Sequence, residues 1–386
     1  MKTDVIVVGA GPAGLTAARA ISSRGFNVVI LEKERHLCMK PCGEAVSKKT
    51  INTAAIAPSK DFIIQEINCA SIYAPNGRNV SIEDESGAGY ILNKTLFLQN
   101  LAEKAAEAGA HIYMNQAVVD VTRGDNTVKV KTRGRDWQTP LLIGADGFSS
   151  IVSRKLAFEK AGARTLIPCI QYKMVNCNLE NPYTTAFYMG SNVAPLGYVW
   201  VFPTGRRTAN VGIGVQGNPA KPYLDRFIKE HPSLFSKAEI IGIEAAPVTI
   251  SGVLERIVDE NVMLVGEAAG QVIPFTGGGI HSSIAAGTMA ADTAVKALEE
   301  ENFSRDKLRT YAERYDEQWG KRVRDSLKAL HVIERLNDND LNALADILEP
   351  QDIINLVNGS DIATVARKLL KHPLFSLKIA KTLLTT

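Results

Sequence analysis

Gly9, Gly11 and Gly14 stand at the spacing of a turn that holds a dinucleotide pyrophosphate. The apolar run Val5-Ile6-Val7-Val8 precedes them, and the small, helix-forming run Leu15-Thr16-Ala17-Ala18 follows. The chemistry needs a strand, a glycine turn and a helix in that order. Gly9 permits the tight turn, Gly11 lets a pyrophosphate approach the backbone, and Gly14 lets the helix pack close to the strand. Pro12 and Ala13 open the helix, whose N-terminal amides face the anion. A second apolar run, Val28-Val29-Ile30-Leu31, ends in Glu32 and Lys33. A carboxylate 18 residues beyond Gly14, at a strand's end, suits a hydrogen bond to a ribose hydroxyl. A lone glycine pattern is often a plain turn; strand, glycines, helix, strand and acid in register argue for a nucleotide. The acid favours an unphosphorylated adenosine ribose, as in FAD or NAD.

Two further strand ends separate those cofactors. Leu141-Leu142-Ile143-Gly144 runs into Asp146-Gly147, with Arg154 beyond. Val262-Met263-Leu264-Val265 runs into Gly266-Glu267-Ala268-Ala269, then Pro274-Phe275-Thr276-Gly277-Gly278-Gly279-Ile280 and a helix of small residues. Glycines there let the backbone lie against a flat, partly anionic ring system. Three strand-end motifs so far apart imply a large cofactor touched by distant parts of one sheet. That is FAD; NAD would need only the first motif.

The elements that must position these groups are α/β. A Rossmann-type FAD-binding domain is expected over residues 1–61, 93–163 and 251–303. An antiparallel-sheet substrate domain, 62–92 with 164–250, is inserted into it. The inserted region has short alternating segments and an Asn76-Gly77 hairpin signal between Ser71-Ile72-Tyr73 and Asn79-Val80-Ser81-Ile82. Ala186–Met189, Tyr198–Phe202 and Ala209–Val215 read as further strands, and residues 304–386 as helices. Broad sheet faces beside a flavin suit a bulky apolar ligand.

Composition sets the limits. Hydrophobic residues are 45% and charged residues 22%, which excludes wholesale disorder. A net charge of +3 argues against nucleic-acid binding, and five cysteines in 386 residues make no disulfide framework. No metal is expected, because Cys38 and Cys42 lack knuckle spacing and the histidines are scattered. The first strand starts at Asp4 and no apolar run nears the ~20 residues of a spanning helix. A cytoplasmic protein is expected, one that meets the inner face of a membrane only from the surface.

Together the three motifs resemble the flavoprotein superfamily of para-hydroxybenzoate hydroxylase, over about residues 1–300. Two departures stand out: Glu267 where the superfamily usually has Asp, and Lys94 where it usually has Arg. A lysine would meet a phosphate as a point charge rather than as a fork. Lys40-Pro41-Cys42-Gly43-Glu44-Ala45 and Tyr198-Val199-Trp200-Val201-Phe202-Pro203-Thr204-Gly205 narrow the likeness. With Glu267 to Ile280, they resemble the geranylgeranyl reductases, which include archaeal digeranylgeranylglycerophospholipid reductases.

The resemblance implies a non-covalent FAD enzyme that saturates prenyl double bonds in archaeal lipid synthesis. It implies that Cys42, Gly43 and Ala45 lie beside the flavin, Lys94 near a phosphate, and Val118 behind the adenine. Cys42 is then the catalytic candidate; otherwise it is an ordinary small buried residue. Tyr198, Trp200 and Phe202 share one strand face. That face is either core or the wall of a lipid tunnel. His281 alone among the histidines falls near the inferred flavin, as a ligand-side group or simply a helix-start residue.

No second glycine fingerprint marks a resident nicotinamide, so electrons must come from an external donor such as reduced ferredoxin or NAD(P)H. In the C-terminal third, Tyr311, Tyr315, Trp319 and Val323 mark one helix face. The basic, apolar stretch 367–384 is either a packed helix or an interfacial one. An aromatic monooxygenase, a halogenase, or a membrane-docking electron-transfer flavoprotein are the alternative readings.

Overall fold

The computed structural model describes residues 3–37, 40, 42–83, 89–160, 162 and 164–372. Cys38, Pro41 and the stretch from 373 onward lie outside them. The buried runs seen in the sequence pair as one six-stranded sheet. Its order is Val258–Asp259, Val262–Leu264, Leu141–Gly144, Val5–Val8, Val28–Leu31, His111–Tyr113. All pairs are parallel except the outermost at Val258–Asp259. Every residue of the four central strands is buried, as a parallel sheet covered on both faces requires.

Helix Pro12–Ser22 packs against the long helix Ile280–Glu299. They meet closely because Gly287 carries no side chain: a Cβ there would lie 2.4 Å from the Ala13 carbonyl oxygen. Thus the first and third motifs are clamped together. Their registers align Val8 with Leu31 and with Gly144, and Gly144 with Leu264, so all three motifs emerge from the C-terminal end of the sheet's strands.

A seven-stranded sheet carries the rest: Glu239–Thr249, Leu166–Val175, Thr208–Gly214, Tyr198–Pro203, Thr184–Tyr188, Cys69–Tyr73, Asn79–Glu83. It is antiparallel except where Thr184–Tyr188 meets Cys69–Tyr73. The Asn76-Gly77 hairpin is present, with Gly77 at φ +83°. The segment 62–92 divides between two sheets. Ile63–Ile67 and Gly89–Leu92 form a small sheet with Ala45–Ser47, and only the hairpin joins the large one.

The C-terminal helices include Arg305–Tyr315 and Lys321–Ile333, joined by a π turn over Asp316–Gly320. Tyr311, Tyr315, Trp319 and Val323 are all buried in the core of the FAD-type sheet. Four-residue steps drift about 40° each around an α-helix. The wider π turn takes up that drift and keeps all four on one face. The helix Asp338–Ile347 is followed by Pro350–Asn358, with Pro350 in its first turn. Its missing N–H costs nothing in a first turn. Among the described residues, no helix is long and apolar enough to cross a membrane.

Candidate active site

At the first motif, Gly9 sits at φ +103°, and a Cβ there would meet the Ala145 carbonyl oxygen at 2.4 Å. A Cβ on Gly14 would lie 2.1 Å from the Gly9 carbonyl oxygen. Both glycines are required by packing. Gly11 differs: a Cβ there would meet nothing within 4 Å. It is the N-cap of helix Pro12–Ser22, makes no side-chain cap, and the first turn holds no acid. The amides at that end therefore face open space beside a bare backbone, where an anion fits. Glu32 stands next to them, its carboxylate accepting from the Ala10 amide at 2.7 Å and the Glu34 amide at 2.9 Å. This cradle fits a dinucleotide. Lys33 is exposed and pairs with Glu34 at 3.8 Å. Val118 is half-buried against the same core.

The other expected contacts have protein partners. Asp146 accepts from Ser150 Oγ at 2.6 Å and from the Ile151 and Val152 amides at 2.7 and 3.2 Å. It holds its own turn together, and burial pushes its carboxyl up. Gly147, at φ +75°, faces open space. The Lys94 ammonium donates to the Lys40 carbonyl at 2.9 Å, in a buried position. Glu267 forms an ion pair with Lys40 and accepts from the Thr249 amide at 3.1 Å. Lys40 also lies over the Phe148 ring, 5.4 Å from its centroid. Glu267 therefore ties the third motif to the segment bearing Cys42.

Pro274–Gly279 forms a tight loop in which Gly277 has φ +66° and the Ile273 amide donates to the Gly278 carbonyl at 2.9 Å. Ser326 accepts from the Phe275 amide at 3.0 Å, and Tyr198 donates its hydroxyl to the Thr276 carbonyl at 2.6 Å. Ile280 then begins the long helix.

The Cys42 turn is held from several sides. Glu44 donates its amide to Cys42 Sγ at 3.3 Å. The Cys42 carbonyl accepts from Gln171 Nε2 at 3.0 Å, and Gln171 Oε1 accepts from Trp200 Nε1 at 2.9 Å. Gly43 lies flat on an aromatic ring, since a Cβ there would meet Phe202 at 2.6 Å. Glu44 has φ +68° and is buried. Its carboxylate accepts from the Lys94 amide at 3.1 Å and from Asn210 Nδ2 at 2.8 Å. Burial pushes that carboxyl up, while Asn210 and the Lys94 amide pull it down. Ala45 follows, exposed, at the start of the small sheet.

Trp200 and Phe202 are buried with Ile67 and Ile91, and Cys169, Phe187 and Tyr198 pack around them. The rings of Phe187 and Phe202 stand 5.2 Å apart, those of Tyr198 and Trp200 6.1 Å. This cluster is separate from the core on the opposite face of the large sheet. Burial pushes the Cys169 thiol up to about 12, so it stays protonated. Burial also raises Tyr198, with Cys169 and Cys42 adding to the effect, so its hydroxyl remains a donor.

The structure thus brings Cys42, Gly43, Tyr198, Trp200 and Phe202 together, with Glu267 and Thr276 at the margin. Gly11 and Glu32 form the nucleotide end. His281 contacts Thr53 Oγ1 at 2.9 Å and stands edge-on to Trp319 at 5.0 Å. Burial, then Arg322 and Lys49, hold its imidazole below the usual value.

Sequence reasoning missed Lys40, Glu44, Gln171 and Asn210 as site residues, and Arg164 as a brace. Arg164 donates to the Glu267 and Ala268 carbonyls, both at 2.6 Å, and pairs with Glu159. Both side chains of that pair are under a tenth exposed. No spacing in the sequence announces partners this far apart.

The chain is similar to several known proteins. Residues 166–248 match the geranylgeranyl reductase catalytic domain, and residues 6–162 match the pyridine nucleotide-disulphide oxidoreductase family. A digeranylgeranylglycerophospholipid reductase of Methanopyrus kandleri is 35% identical, with 100% of each chain covered. The chain belongs to the digeranylgeranylglycerophospholipid reductase family. The reductase of that name from Methanocaldococcus jannaschii is 31% identical, covering 99% of this chain and 98% of the relative. The crystal structure of a geranylgeranyl bacteriochlorophyll reductase-like protein from Thermoplasma acidophilum superposes with a TM-score of 0.89 at 32% identity. That match covers 99% of this chain and 100% of the other. A halogenase in complex with FAD, 16% identical with a TM-score of 0.68, shares the fold over 90% of this chain and 83% of its own. As a family member the chain is an oxidoreductase of the FAD-dependent flavoprotein type.

Proposed function

We propose that this family member saturates the carbon–carbon double bonds of geranylgeranyl chains on an archaeal glycerophospholipid, using FAD held without a covalent bond. The observation that carries this reading is the aromatic wall of Tyr198, Trp200 and Phe202 beside the Cys42 turn, within the matched catalytic domain. A twenty-carbon prenyl chain has only apolar surface to offer. Aromatic side chains present about 150–250 Å² each, and area removed from water contributes roughly 25 cal/mol per Å².

Gly9, Gly11, Pro12, Ala13, Gly14 and Glu32 would hold the adenosine and pyrophosphate, with Val118 behind the adenine. The Gly277–Gly279 loop, Ile280, Asp146, Gly147 and Glu267 would border the rest of FAD. When bound in its reduced form, FAD supplies the hydride; a proton completes each saturation, so each double bond gains two hydrogens. Around that chemistry the chain's own groups orient and exclude water. Tyr198 and Cys169 both retain a proton there, and the Glu44 amide bond holds the Cys42 sulfur in one place. Electrons enter from an external donor, and the enzyme meets its lipid as a peripheral protein at a membrane surface.

The test is incubation of the dithionite-reduced enzyme with a digeranylgeranylglycerophospholipid, followed by mass spectrometry. Mass gains in steps of two hydrogens are expected. Flavin oxidation with no change in lipid mass would remove the reading, and aerobic hydroxylation of an aromatic compound would replace it. Cys42→Ser is expected to keep its full complement of FAD while prenyl reduction slows at least tenfold. The alcohol fits the thiol's place and still accepts from the Glu44 amide, but it is a far weaker acid and nucleophile than a thiol. Wild-type turnover in that variant would return Cys42 to an ordinary packing role.

A further inference from the structure

Three strand ends meet at one end of the seven-stranded sheet: Val175 pairs with both Thr208 and Glu239. The loops that follow and precede them enclose a cleft of about 350 Å³. Arg206, Arg207 and Lys237 line it, with Ser233, Ser236 and Asn178, and no acid does. All three cations are exposed.

Glu239–Thr249 runs from this cleft as the sheet's outer strand, hydrogen-bonded on one side only. Ile240, Ile241 and Ile243 on it are 45%, 68% and 60% exposed. Lys173 pairs with Gly242 and Met174 with Ile240, so Ile241 is the extra residue of a bulge. A bulge guards an open edge against pairing with another strand. It does nothing to hide isoleucine side chains from water. Exposed isoleucines on an outer strand are unusual unless something covers them.

We propose that this end of the sheet docks on an anionic lipid bilayer, with phosphate headgroups in the Arg206–Arg207–Lys237 cleft and the three isoleucines in the interface. Charge decides the occupant. A second copy would bring the same cations face to face. The chain's own stretch 367–384 holds five basic residues and no acid, so it too is repelled. An anionic bilayer alone offers both a negative surface and an apolar layer beneath it. Two exposed acids adjoin the cleft, Glu239 at the start of the strand and Glu180 beside the lining residue Leu179, but the cleft itself is lined by three cations and no acid. The cleft also stands about seven residues along the Leu166–Val175 strand from Cys169, roughly 23 Å at strand rise. An electron-donor protein seated there would therefore be far from the Cys42 turn. The choice of a bilayer rests on the proposed lipid substrate.

The test is flotation of the full-length, FAD-loaded protein with vesicles of phosphatidylglycerol or of phosphatidylcholine. Neither carries a prenyl chain, so the outcome is independent of the reductase assay. Binding to phosphatidylglycerol is expected to be at least about tenfold tighter, and to weaken as salt rises. Reversing both charges, Arg206→Glu with Arg207→Glu, is expected to reduce it at least about tenfold. Ile241→Ser with Ile243→Ser is expected to weaken binding to a similar degree at constant salt dependence. All four side chains are exposed, so melting temperature and flavin content should not change. Wild-type vesicle binding in both variants would overturn the proposal, as would a wild-type protein that ignores anionic vesicles. So would an isoleucine variant that turns a dimer into a monomer while still floating with the vesicles.

Discussion

Gly11→Val is expected to give a folded protein that has lost its flavin. The backbone at Gly11 is ordinary, with φ −79° and ψ −179°, and a Cβ there meets no protein atom within 4 Å. The fold should lose only about 1 kcal/mol, the usual cost of an apolar N-cap. On the proposed reading the pyrophosphate approaches through this empty space, so the branched side chain would exclude it. FAD affinity should fall more than about a hundredfold, a loss of ~2.7 kcal/mol or more. Gly9→Ala and Gly14→Ala are the contrast. Their side chains would collide with the Ala145 and Gly9 carbonyls, and at Gly9 φ is also positive. Those variants should fail to fold, whereas Gly11→Val should melt as a well-behaved apoprotein. Flavin absorbance after gel filtration, beside circular dichroism, separates the cases. A yellow Gly11→Val protein would place the pyrophosphate elsewhere.

The second large effect is expected at Trp200 and Gln171. Trp200→Ala removes a ring packed on Phe202 and on Gly212, where a Cβ would lie 2.2 Å from the indole. Such truncations cost about 3–5 kcal/mol. That cost would mask a role in substrate binding, so Trp200→Phe is the sharper variant. It keeps a ring but strands Gln171 Oε1, at about 1–3 kcal/mol. Gln171→Leu strands both the Trp200 Nε1–H and the Cys42 carbonyl, at about 1–3 kcal/mol each. Because one hydrogen bond joins the two residues, the double variant should cost less than the two single costs together, by about 0.5–3 kcal/mol.

The functional expectation is separate. If Gln171 ties the aromatic wall to the Cys42 turn, Gln171→Leu should lower prenyl turnover at least tenfold while retaining FAD and its reduction by dithionite. Trp200→Phe should raise KM for the prenyl lipid more than it lowers kcat, since wall area is lost and the turn is not. Melting curves and kinetics on the same preparation decide. Unstable, flavin-poor variants with unchanged KM would make Trp200 and Gln171 plain core.

Local signals were strong where the backbone itself makes the site. Gly9, Gly11 and Gly14 stand between an all-buried strand and a helix of small residues, and Glu32 ends the next strand. Everything needed to recognise that unit lies within about thirty residues, because a strand–turn–helix folds on itself. The Asn76-Gly77 hairpin was legible for the same reason. So was the buried face of Tyr311, Tyr315, Trp319 and Val323, although only the structure reveals the π turn that keeps them aligned.

Asp146, Lys94 and Glu267 mark the limit of such reading. Each was recognisable as a motif member by its neighbours in sequence. What its side chain holds was not: Asp146 caps its own turn, Lys94 supports the Lys40 carbonyl, and Glu267 pairs with Lys40, 227 residues away. Pro350 shows the same limit on a smaller scale, since a proline stops one helix or starts the next according to where the chain turns.

The sequence by itself determined the class of protein: an α/β dinucleotide cradle, a second antiparallel sheet, and an aromatic strand with Tyr198, Trp200 and Phe202 on one face. Periodicity and glycine spacing report local backbone geometry, and local geometry is written in consecutive residues. Only the tertiary structure decided that Gln171 and Asn210, on neighbouring strands, hold the Cys42–Glu44 turn against that aromatic face. A buried polar group takes its partner from whatever the fold places within hydrogen-bond reach, and no residue spacing encodes which distant side chain that will be.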